Sequence, residues 1–301
     1  MQNKHFKSGF VSIIGRPNVG KSTLLNQILQ EKVVIVSPKA QTTRNKIQGI
    51  YTTNTEQIIF IDTPGIHKPT NELGEVMNQF AYDALSGVDL IIYLIDATKP
   101  IGLSDKVIIE NLKSVKTPIF LIANKVDLVK NNEELTKNMA TYKENNIFKE
   151  SLAISAHSGY QIDLLIELIK NHLPFGPMFY PEDQLLDQPE RFVISEIIRE
   201  KIILNTKEEI PYSVAVVIES FKEYTNLIEI YATIIIEKAS QKKIIIGKEG
   251  SMIKKIGTEA RKEMVKFLNC KVHLELFVKI EKDWRNKKSQ LKELGYFKPK
   301  D

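Results

Sequence analysis

The chain has 301 residues, of which 43% are hydrophobic and 26% charged, and its formal net charge is +5. These proportions are ordinary for a soluble globular protein, and the length suggests about two domains. The single cysteine, Cys270, excludes an internal disulfide and a zinc site built from several thiolates. The first residues lack the apolar core of a signal peptide, and no run approaches the roughly 18 apolar residues of a membrane span. We therefore expect a cytoplasmic protein without a transmembrane segment.

Charge is unevenly distributed along the chain. From Lys238 to Asp301 there are 18 basic and 8 acidic side chains, a balance of +10, whereas residues 1–237 carry 24 and 29, a balance of −5. Segregation of this kind predicts that the C-terminal part faces a polyanion. A lysine-rich surface kept for solubility is the alternative, but it accounts for the number of lysines and not for their segregation.

A glycine-rich loop lies between a predicted strand at 10–14 and a predicted helix at 21–30. The pattern Gly-x-x-x-x-Gly-Lys-Ser in that position is typical of a loop whose backbone N–H groups surround phosphates, although an ordinary turn before a helix is the alternative. Lys21 is predicted to reach the β- and γ-phosphates of a nucleotide, and the Ser22 hydroxyl to bind Mg²⁺. The predicted phosphate-binding residues are Gly15, Arg16, Pro17, Asn18, Val19, Gly20, Lys21, Ser22 and Thr23.

Two later segments predict which base is bound. After a buried strand at 119–124, the Asp127 carboxylate can accept from guanine N1–H and its 2-amino group, donors that adenine lacks. The Lys125 stem can lie along the purine face, and Asn124 can tie this loop to the phosphate loop. After a strand at 151–155, a backbone N–H is expected to reach guanine O6. A surface turn is the alternative, but GTP or GDP is the prediction. The predicted base-contacting residues are Asn124, Lys125, Val126, Asp127, Ser155 and Ala156.

Between these motifs, a strand at 57–62 delivers Asp62 to the metal side of the phosphates, where it is predicted to hold Mg²⁺ through a water. Gly65 has no side chain, so its N–H can approach a γ-phosphate. In the polar segment 38–45, Thr43 is predicted to complete the metal shell, with Thr42 as the fallback. The predicted metal-binding residues are Ser22, Thr43 and Asp62; the predicted catalytic residues are Lys21, Thr43 and Gly65; Thr63 and Pro64 are expected beside the nucleotide.

The order of these motifs resembles the GTPase superfamily. In Ras-like members a glutamine follows the position of Gly65 and orients the attacking water. Here that residue is Ile66, so hydrolysis is expected to be slow unless another group or a partner supplies the contact. His67 is the nearest candidate, although a solvated bystander in a loop is the favoured interpretation.

Strands and helices alternate through the first half of the chain, which predicts an α/β fold with a mainly parallel sheet and helices on both faces. The remaining strands are predicted at 47–51 and 90–95, and the helices at 72–86, 103–116, 132–145 and 161–173. The proline-rich segment that follows reads as a linker. We expect a P-loop domain at 1–174, a linker at 175–189, a smaller α+β domain at 190–282 and a basic tail at 283–301.

The second domain is predicted as a helix at 191–204, two antiparallel strands at 212–220 and 227–237, two helices around Gly-Lys-Glu-Gly, and a strand at 271–280. This order resembles a type II K-homology (KH) domain, in which the glycines let a single-stranded backbone pass close by. The loop could also be a simple turn, and Glu249 is an awkward neighbour for phosphate. Ile244, Ile245, Ile246 and Ile253 are expected to floor an apolar groove. The predicted RNA-binding residues are Ile246, Gly247, Lys248, Glu249, Gly250, Lys254 and Lys255.

Together with the ending around Trp284, these motifs resemble the Era family of bacterial GTPases over nearly the full chain. The resemblance implies a Mg²⁺-dependent GTPase that binds single-stranded rRNA near the 3′ end of the small-subunit (16S) RNA, assists maturation of the small ribosomal subunit, and in some members contacts the membrane peripherally. Two alternatives stay open. One is a GTPase acting in tRNA modification or on another RNA or membrane partner; the other is a GTP-gated RNA-binding module with little turnover. Trp284 is expected to anchor the last segment rather than stack on a base.

Overall fold

The computed structural model describes residues 6–39 and 41–296, so the last five residues of the predicted basic tail lie outside the described part of the chain. The chain forms two compact units, each of which has its own buried core. The first unit comprises Met1–Val34, Thr43–Thr70 and Met77–Asp187, and the second comprises Ile35–Thr42, Asn71–Val76 and Gln188–Asp301. Among the described residues, no helix combines the length and apolar character needed to cross a bilayer.

The first unit contains a sheet, and along the chain its strands alternate with helices. Its strands are β1 (Lys7–Ile14), β2 (Ile47–Thr52), β3 (Glu56–Asp62), β4 (Leu90–Asp96), β5 (Ile119–Asn124) and β6 (Glu150–Ala153). The helices are α1 (Lys21–Leu29), α2 (Glu72–Asp83), α3 (Leu103–Leu112), α4 (Asn132–Lys143) and α5 (Ile162–His172), of which α2 begins in a segment assigned to the second unit.

In the described chain this sheet has six strands in the order β2-β3-β1-β4-β5-β6, and only β2 runs antiparallel to its neighbour. Every residue of β3, β4 and β5 is buried, as expected for strands covered on both faces. The predicted fold class is therefore confirmed. Parallel strands bring their carboxyl ends to one edge of a sheet, and ligands bind there in open α/β folds. The loops after β1, β3, β4 and β5 meet at that edge.

The segment predicted as a linker, residues 175–189, is packed differently from the prediction. Up to Asp187 it packs on the first unit instead of forming a free spacer. The N–H of Ile50 in β2 donates to the carbonyl of Leu185, and the N–H of Asp187 donates to the carbonyl of Gln48. The buried Gln57 amide also accepts from the N–H groups of Phe179 and Tyr180. The segment thus satisfies backbone groups that an edge strand would otherwise present to solvent.

The second unit contains the predicted KH-like order of elements. Its helices are α6 (Glu190–Asn205), α7 (Ile210–Ser213), α8 (Ala239–Ile246), α9 (Ser251–Leu268) and α10 (Lys288–Glu293), and its strands are β7 (Ala215–Tyr224), β8 (Leu227–Ile236) and β9 (Lys271–Ile280). The predicted antiparallel pairing of β7 with β8 is confirmed, and β9 runs parallel to β8. The first strand starts at Ala215 rather than at Tyr212, because the preceding residues form a helical turn with Pro211 near its start.

The segment predicted as a basic tail is packed onto the second unit as far as Tyr296. Trp284 is fully buried, its indole N–H donates to the Ser213 carbonyl at 2.9 Å, and its ring stacks on Tyr296 with centroids 6.0 Å apart. Leu291 of α10 is fully buried as well. The expectation that Trp284 is an anchor is confirmed, and the described part of the predicted tail, residues 283–296, is packed instead of free.

The second unit also includes Ile35–Thr42, which overlaps the polar segment 38–45 that the sequence analysis placed in the first domain. The Val36 N–H donates to the Glu200 carboxylate at 3.1 Å. Arg199, fully buried and ion-paired with Glu196 at 2.6 Å, donates to the carbonyl of Thr42. Helix α6 therefore holds this segment through charged side chains that sequence periodicity did not single out.

Candidate nucleotide-binding and nucleic-acid-binding sites

The glycine-rich loop connects β1 to α1, as predicted. Gly20 caps the helix with φ of 102°, a conformation that favours glycine, and a Cβ there would lie 2.3 Å from the Asn124 Nδ2 atom. The helix begins at Lys21, so its unpaired N–H groups and positive dipole end face the loop. The arrangement forms an anion-binding concavity of the kind that nucleotide phosphates occupy.

Lys21 lies inside this concavity. Its ammonium donates to the carbonyls of Gly15 at 3.2 Å and Arg16 at 3.1 Å. Burial lowers the pKa of Lys21 to about 8, although the nearby Asp62 carboxylate acts in the opposite direction. A phosphate oxygen would give this desolvated ammonium the counter-charge that loop carbonyls cannot supply.

The three predicted metal-binding residues come together beside the loop. The Ser22 hydroxyl donates to Asp62 Oδ2 at 2.8 Å and lies 2.7 Å from the Thr43 hydroxyl, which is 3.3 Å from the same carboxylate oxygen. Thr42, the fallback, instead bonds the Ser37 hydroxyl and the Lys39 carbonyl, each at 2.7 Å. The structure therefore brings Thr43, and not Thr42, to Ser22 and Asp62.

Asp62 supplies a buried carboxylate to this cluster. It is fully buried, and burial raises its pKa, while the Lys21 charge and the Ser22 and Thr43 hydroxyls counteract that effect. Its Oδ1 atom is buried without a hydrogen-bond partner among the described residues. A carboxylate and two hydroxyls are hard oxygen ligands of the kind that Mg²⁺ prefers, so the donor set fits this ion.

On the base side, Asn124 ties two loops together as predicted. Its Nδ2 donates to the Val19 carbonyl at 2.8 Å, and its Oδ1 accepts the Ala156 N–H at 2.8 Å. The Ala156 N–H is thus bonded within the protein, and the expected contact of a backbone N–H from this segment with guanine O6 stays a prediction. Asp127 is exposed in the short helical turn Val126–Leu128 that follows β5, and Ser155 is buried next to Ala156.

Sequence analysis missed Asp96, the last residue of β4. The Lys125 ammonium lies 2.8 Å from Asp96 Oδ2 and 2.6 Å from the Asn18 carbonyl in the phosphate loop. Burial acts to raise the pKa of Asp96, but hydrogen bonds from Lys125 and Thr98 outweigh it, and the pKa lies below its usual value. Asp96 ends β4 directly beside Asn124 at the end of β5. Ligands bind at the carboxyl ends of parallel strands, so this position could have marked Asp96 as a site residue.

The Arg16 side chain points away from the concavity. Its Nε lies 3.0 Å from the Oδ1 of Asp105, a buried carboxylate of α3 that also accepts the Tyr93 hydroxyl at 2.8 Å. Arg16 therefore presents its backbone to the site while its guanidinium fastens the loop to α3. Thr23 lies in the first turn of α1, and the Thr63 hydroxyl donates to the Ile13 carbonyl at 2.8 Å.

The segment after Asp62 is packed against the phosphate loop. A Cβ on Gly65 would lie 2.6 Å from the Pro17 nitrogen, so only glycine fits there, and Pro64 beside it is buried. Ile66 is 4% exposed and belongs to the core, and it offers the site no polar side-chain atom.

His67 is half-buried, so the expectation of a fully solvated side chain is not met, and its role as a bystander to the chemistry stays a prediction. Its Nδ1 lies 2.9 Å from the Gly65 carbonyl, and its backbone carbonyl accepts from the Asn78 amide at 2.7 Å. These contacts hold the ring beside Gly65, because the loop folds back onto α2 instead of extending into solvent.

In the second unit, α8 ends at Ile246 and α9 begins at Ser251, and the Gly-Lys-Glu-Gly loop makes the turn between them. Gly247 and Gly250 have φ of 74° and 75°, and a Cβ on Gly250 would meet no atom within 4 Å, which leaves that side of the loop open. The exposed side chains around the turn are Lys248, Glu249, Lys254 and Lys255.

An open cleft of about 310 Å³ runs between α9 and β9, lined by Ile253, Lys254, Gly257, Thr258, Arg261, Leu274 and Leu276. The predicted apolar floor is only partly right. Ile253 lines the cleft, but Ile245 is fully buried in the core and Ile244 is 47% exposed. The sequence did not single out Arg261, Leu274 or Leu276, since their proximity depends on β9 pairing with β8 under α9.

Fold and sites define a P-loop GTPase joined to a KH domain. Residues 10–125 match a family described as 50S ribosome-binding GTPase, and residues 209–285 match the KH domain family. Two solved structures resemble nearly the whole chain. Era in complex with MgGDPNP and nucleotides 1506–1542 of 16S ribosomal RNA is 39% identical with a TM-score of 0.94, over 97% of this chain and 99% of that one. An Aquifex aeolicus Era variant bound to GDP·AlF₄⁻ is 39% identical with a TM-score of 0.93 over the same shares. The chain belongs to the Era family, and it is a GTPase.

Proposed function

We propose that the protein is a Mg²⁺-dependent GTP-hydrolysing switch that binds the 3′ region of 16S rRNA and assists small ribosomal subunit maturation. The observation that carries the nucleotide part is the convergence of the Ser22 and Thr43 hydroxyls on Asp62, next to the buried Lys21 ammonium. Burying the Asp62 carboxylate is costly, and the two hydroxyl bonds offset only part of that cost, so burial still raises its pKa; a bound cation would offset more.

Each residue has a distinct role in this proposal. Ser22 and Thr43 would hold Mg²⁺ directly, and Asp62 would hold it through a water; the bound ion would neutralise charge on the β- and γ-phosphates. Lys21 and the loop N–H groups stabilise the charge on the transferring phosphoryl group. The Gly65 N–H would meet the γ-phosphate, Asp127 would select the guanine and Lys125 would cover it.

Turnover is expected to be slow, since the buried Ile66 cannot orient the attacking water. Single-turnover phosphate release, measured with and without small ribosomal subunits, tests this step. Slow release that subunits accelerate supports the switch. Absence of release under both conditions would favour a GTP-gated RNA-binding module.

The second unit is the proposed RNA-binding part. Its support is the +10 balance of the C-terminal segment, the open glycine loop and the cleft that combines Leu274 and Leu276 with Arg261. The related Era bound to 16S rRNA nucleotides points to the small-subunit 3′ end as the target. Sequencing RNA crosslinked to the protein in cells tests the assignment. Recovery of tRNA in place of 16S rRNA would overturn it.

We further propose that the nucleotide state controls RNA binding. The Thr43 hydroxyl, which lies beside Ser22 and Asp62, would help to hold Mg²⁺ when GTP is bound. Thr43 is joined by a peptide bond to Thr42, whose carbonyl Arg199 binds within the second unit. RNA affinity is therefore expected to differ between nucleotide-free, GDP-bound and GTP-analogue-bound protein. Equal affinity in all three states at saturating ligand would contradict the coupling.

We also propose a cytoplasmic location, as the sequence predicts, and peripheral membrane contact, which only the family resemblance supports. Co-flotation with anionic lipid vesicles, with and without nucleotide, measures that contact. If the protein does not float with the vesicles in any nucleotide state, the proposed membrane contact is wrong.

A further inference from the structure

Asp96 occupies a fixed position at the nucleotide edge of the sheet. It ends β4 and is 3% exposed. Its Oδ1 accepts from the Thr98 N–H at 3.1 Å and the Thr98 hydroxyl at 2.6 Å. Because one carboxylate oxygen is held by Thr98, the other is aimed in a defined direction. That direction is toward Lys125.

Lys125 connects two loops through its ammonium. The Nζ lies 2.8 Å from Asp96 Oδ2 and 2.6 Å from the Asn18 carbonyl, and the residue itself is held at φ of 69° between β5 and the following turn. The phosphate loop, the base loop and the end of β4 are therefore joined by one chain of charge-assisted hydrogen bonds. Such bonds are short and strong because one or both partners are ionised.

A second lysine near Asp96 provides an internal comparison. The Lys99 ammonium is 3.8 Å from Asp96 Oδ2, its side chain is 62% exposed, and within the described chain it makes no bond to the phosphate loop. Lys125 is 29% exposed and its ammonium is 1.0 Å closer to the same oxygen. The carboxylate thus serves Lys125, and its proximity to Lys99 is incidental.

We propose that Asp96 is a positioning residue for guanine-nucleotide binding. Its carboxylate holds the Lys125 ammonium against the phosphate loop, and this fixes the aliphatic stem of Lys125 where the purine stacks. The inference rests on the proposed assignment of Lys125 to the purine face. Asp96 itself touches no nucleotide atom in this scheme, so its effect passes through Lys125.

A double-mutant cycle on the full-length protein tests the inference. Binding of a fluorescent GDP derivative with Mg²⁺ is measured for Asp96→Asn, Lys125→Met, the double variant and Lys99→Met. Asp96→Asn is expected to raise the Kd about tenfold, mainly through faster dissociation, because it removes one charge-assisted bond. Adding Asp96→Asn to Lys125→Met is expected to change the Kd by less than about twofold, since residues acting as a unit are non-additive. Lys99→Met is the matched control and is expected to remain within about twofold of the unmodified protein.

The outcomes distinguish a failure of the role of Asp96 from a failure of the purine assignment of Lys125. If Asp96→Asn weakens binding by the same factor with and without Lys125, Asp96 acts by another route and the inference is overturned. If Lys125→Met weakens binding but Asp96→Asn does not, only the role of Asp96 fails. If Lys125→Met, which keeps an apolar stem, leaves the Kd unchanged, the ammonium does not position that stem and the inference is overturned. If Lys125→Ala, which removes the stem, also leaves the Kd unchanged, the purine assignment of the proposed function fails as well. Should Asp96→Asn not fold, Thr98→Val loosens the carboxylate without removing its charge; a two- to threefold faster dissociation, about 0.5 kcal/mol, supports the inference and an unchanged rate contradicts it.

Discussion

The two candidate sites are built in opposite ways. In the first unit, polar side chains are buried and bonded to one another: the Ser22 hydroxyl, the Thr43 hydroxyl and the Asp62 carboxylate share a cluster beside Lys21. In the second unit, the backbone shapes the loop at Gly247 and Gly250, and the charged side chains stay in solvent.

This difference has consequences for energetics. A buried charge is costly unless its partner is in place, so the nucleotide site should respond sharply to single substitutions and to protonation. Exposed lysines attract a polyanion through a screened field, so the RNA surface should respond gradually and depend on salt.

Replacing Asp127 with Asn should cause the largest change. The amide cannot accept from both guanine donors, so affinity for GDP should fall by roughly 100-fold or more. Xanthosine diphosphate, which carries an oxygen where guanine has its amino group, should regain the loss. Competition with a fluorescent nucleotide measures both affinities. Glu133→Gln, an exposed acid at the start of α4, is the control. Undiminished guanine preference would contradict the base assignment.

The predictability of the first unit follows from local pattern combined with sheet geometry. Buried strands followed by short motifs fix Ser22, Asp62 and Asn124 at the carboxyl edge, and parallel strands must bring those ends together. The same rule applies to Asp96, which we overlooked because no familiar motif surrounds it.

Features that depend on contacts between residues far apart in the sequence could not be predicted from local pattern. The proline-rich linker reads as a spacer, and its bonds to Gln48 and Gln57 depend on how β2 and β3 present their edge. Ile245 is apolar, as a groove residue should be, but its position on the short helix α8 directs it to the buried core. The bonds of His67 depend on Asn78, eleven residues later in α2.

The buried Lys21 ammonium predicts a pH-dependent nucleotide affinity. Its pKa is lowered to about 8 by burial, and the phosphates of a bound nucleotide favour the charged form and raise it. Below about pH 8 the lysine is already protonated and the Kd of GDP should not change. Above it, binding must take up a proton, so the Kd should rise by up to about tenfold per pH unit.

Calorimetry in two buffers of different ionisation enthalpy measures that proton uptake directly. Asp127→Asn serves as the control, because it weakens binding without touching Lys21 and should keep the same pH slope. A Kd that stays constant up to pH 10 would contradict the role of the buried ammonium.

Gly250→Asp should weaken RNA binding while leaving GDP affinity unchanged. The position is open, with no atom within 4 Å of the added Cβ, so the effect comes from a carboxylate placed beside phosphate and not from a clash. A loss of roughly tenfold corresponds to one repulsive contact. Gly250→Asn, which has the same shape and tolerates φ of 75°, is the matched control. Equal losses in both variants would point to loop geometry in place of charge.

The smallest expected effect concerns Arg261, one of two exposed cations, with Lys254, that line the cleft between α9 and β9. For single-stranded nucleic acid, log affinity falls with log salt by about 0.7 for each neutralised phosphate. Arg261→Gln should therefore lower the slope by about 0.7 and weaken binding only a few-fold at moderate salt. Lys222→Gln, an exposed cation on β7 outside the cleft lining, is the control and should leave the slope unchanged. The slope is more informative than the affinity, because a folding defect lowers affinity at every salt concentration but leaves the number of released counterions the same. An unaltered slope would show that Arg261 neutralises no phosphate, and the RNA backbone would then lie away from its end of the cleft.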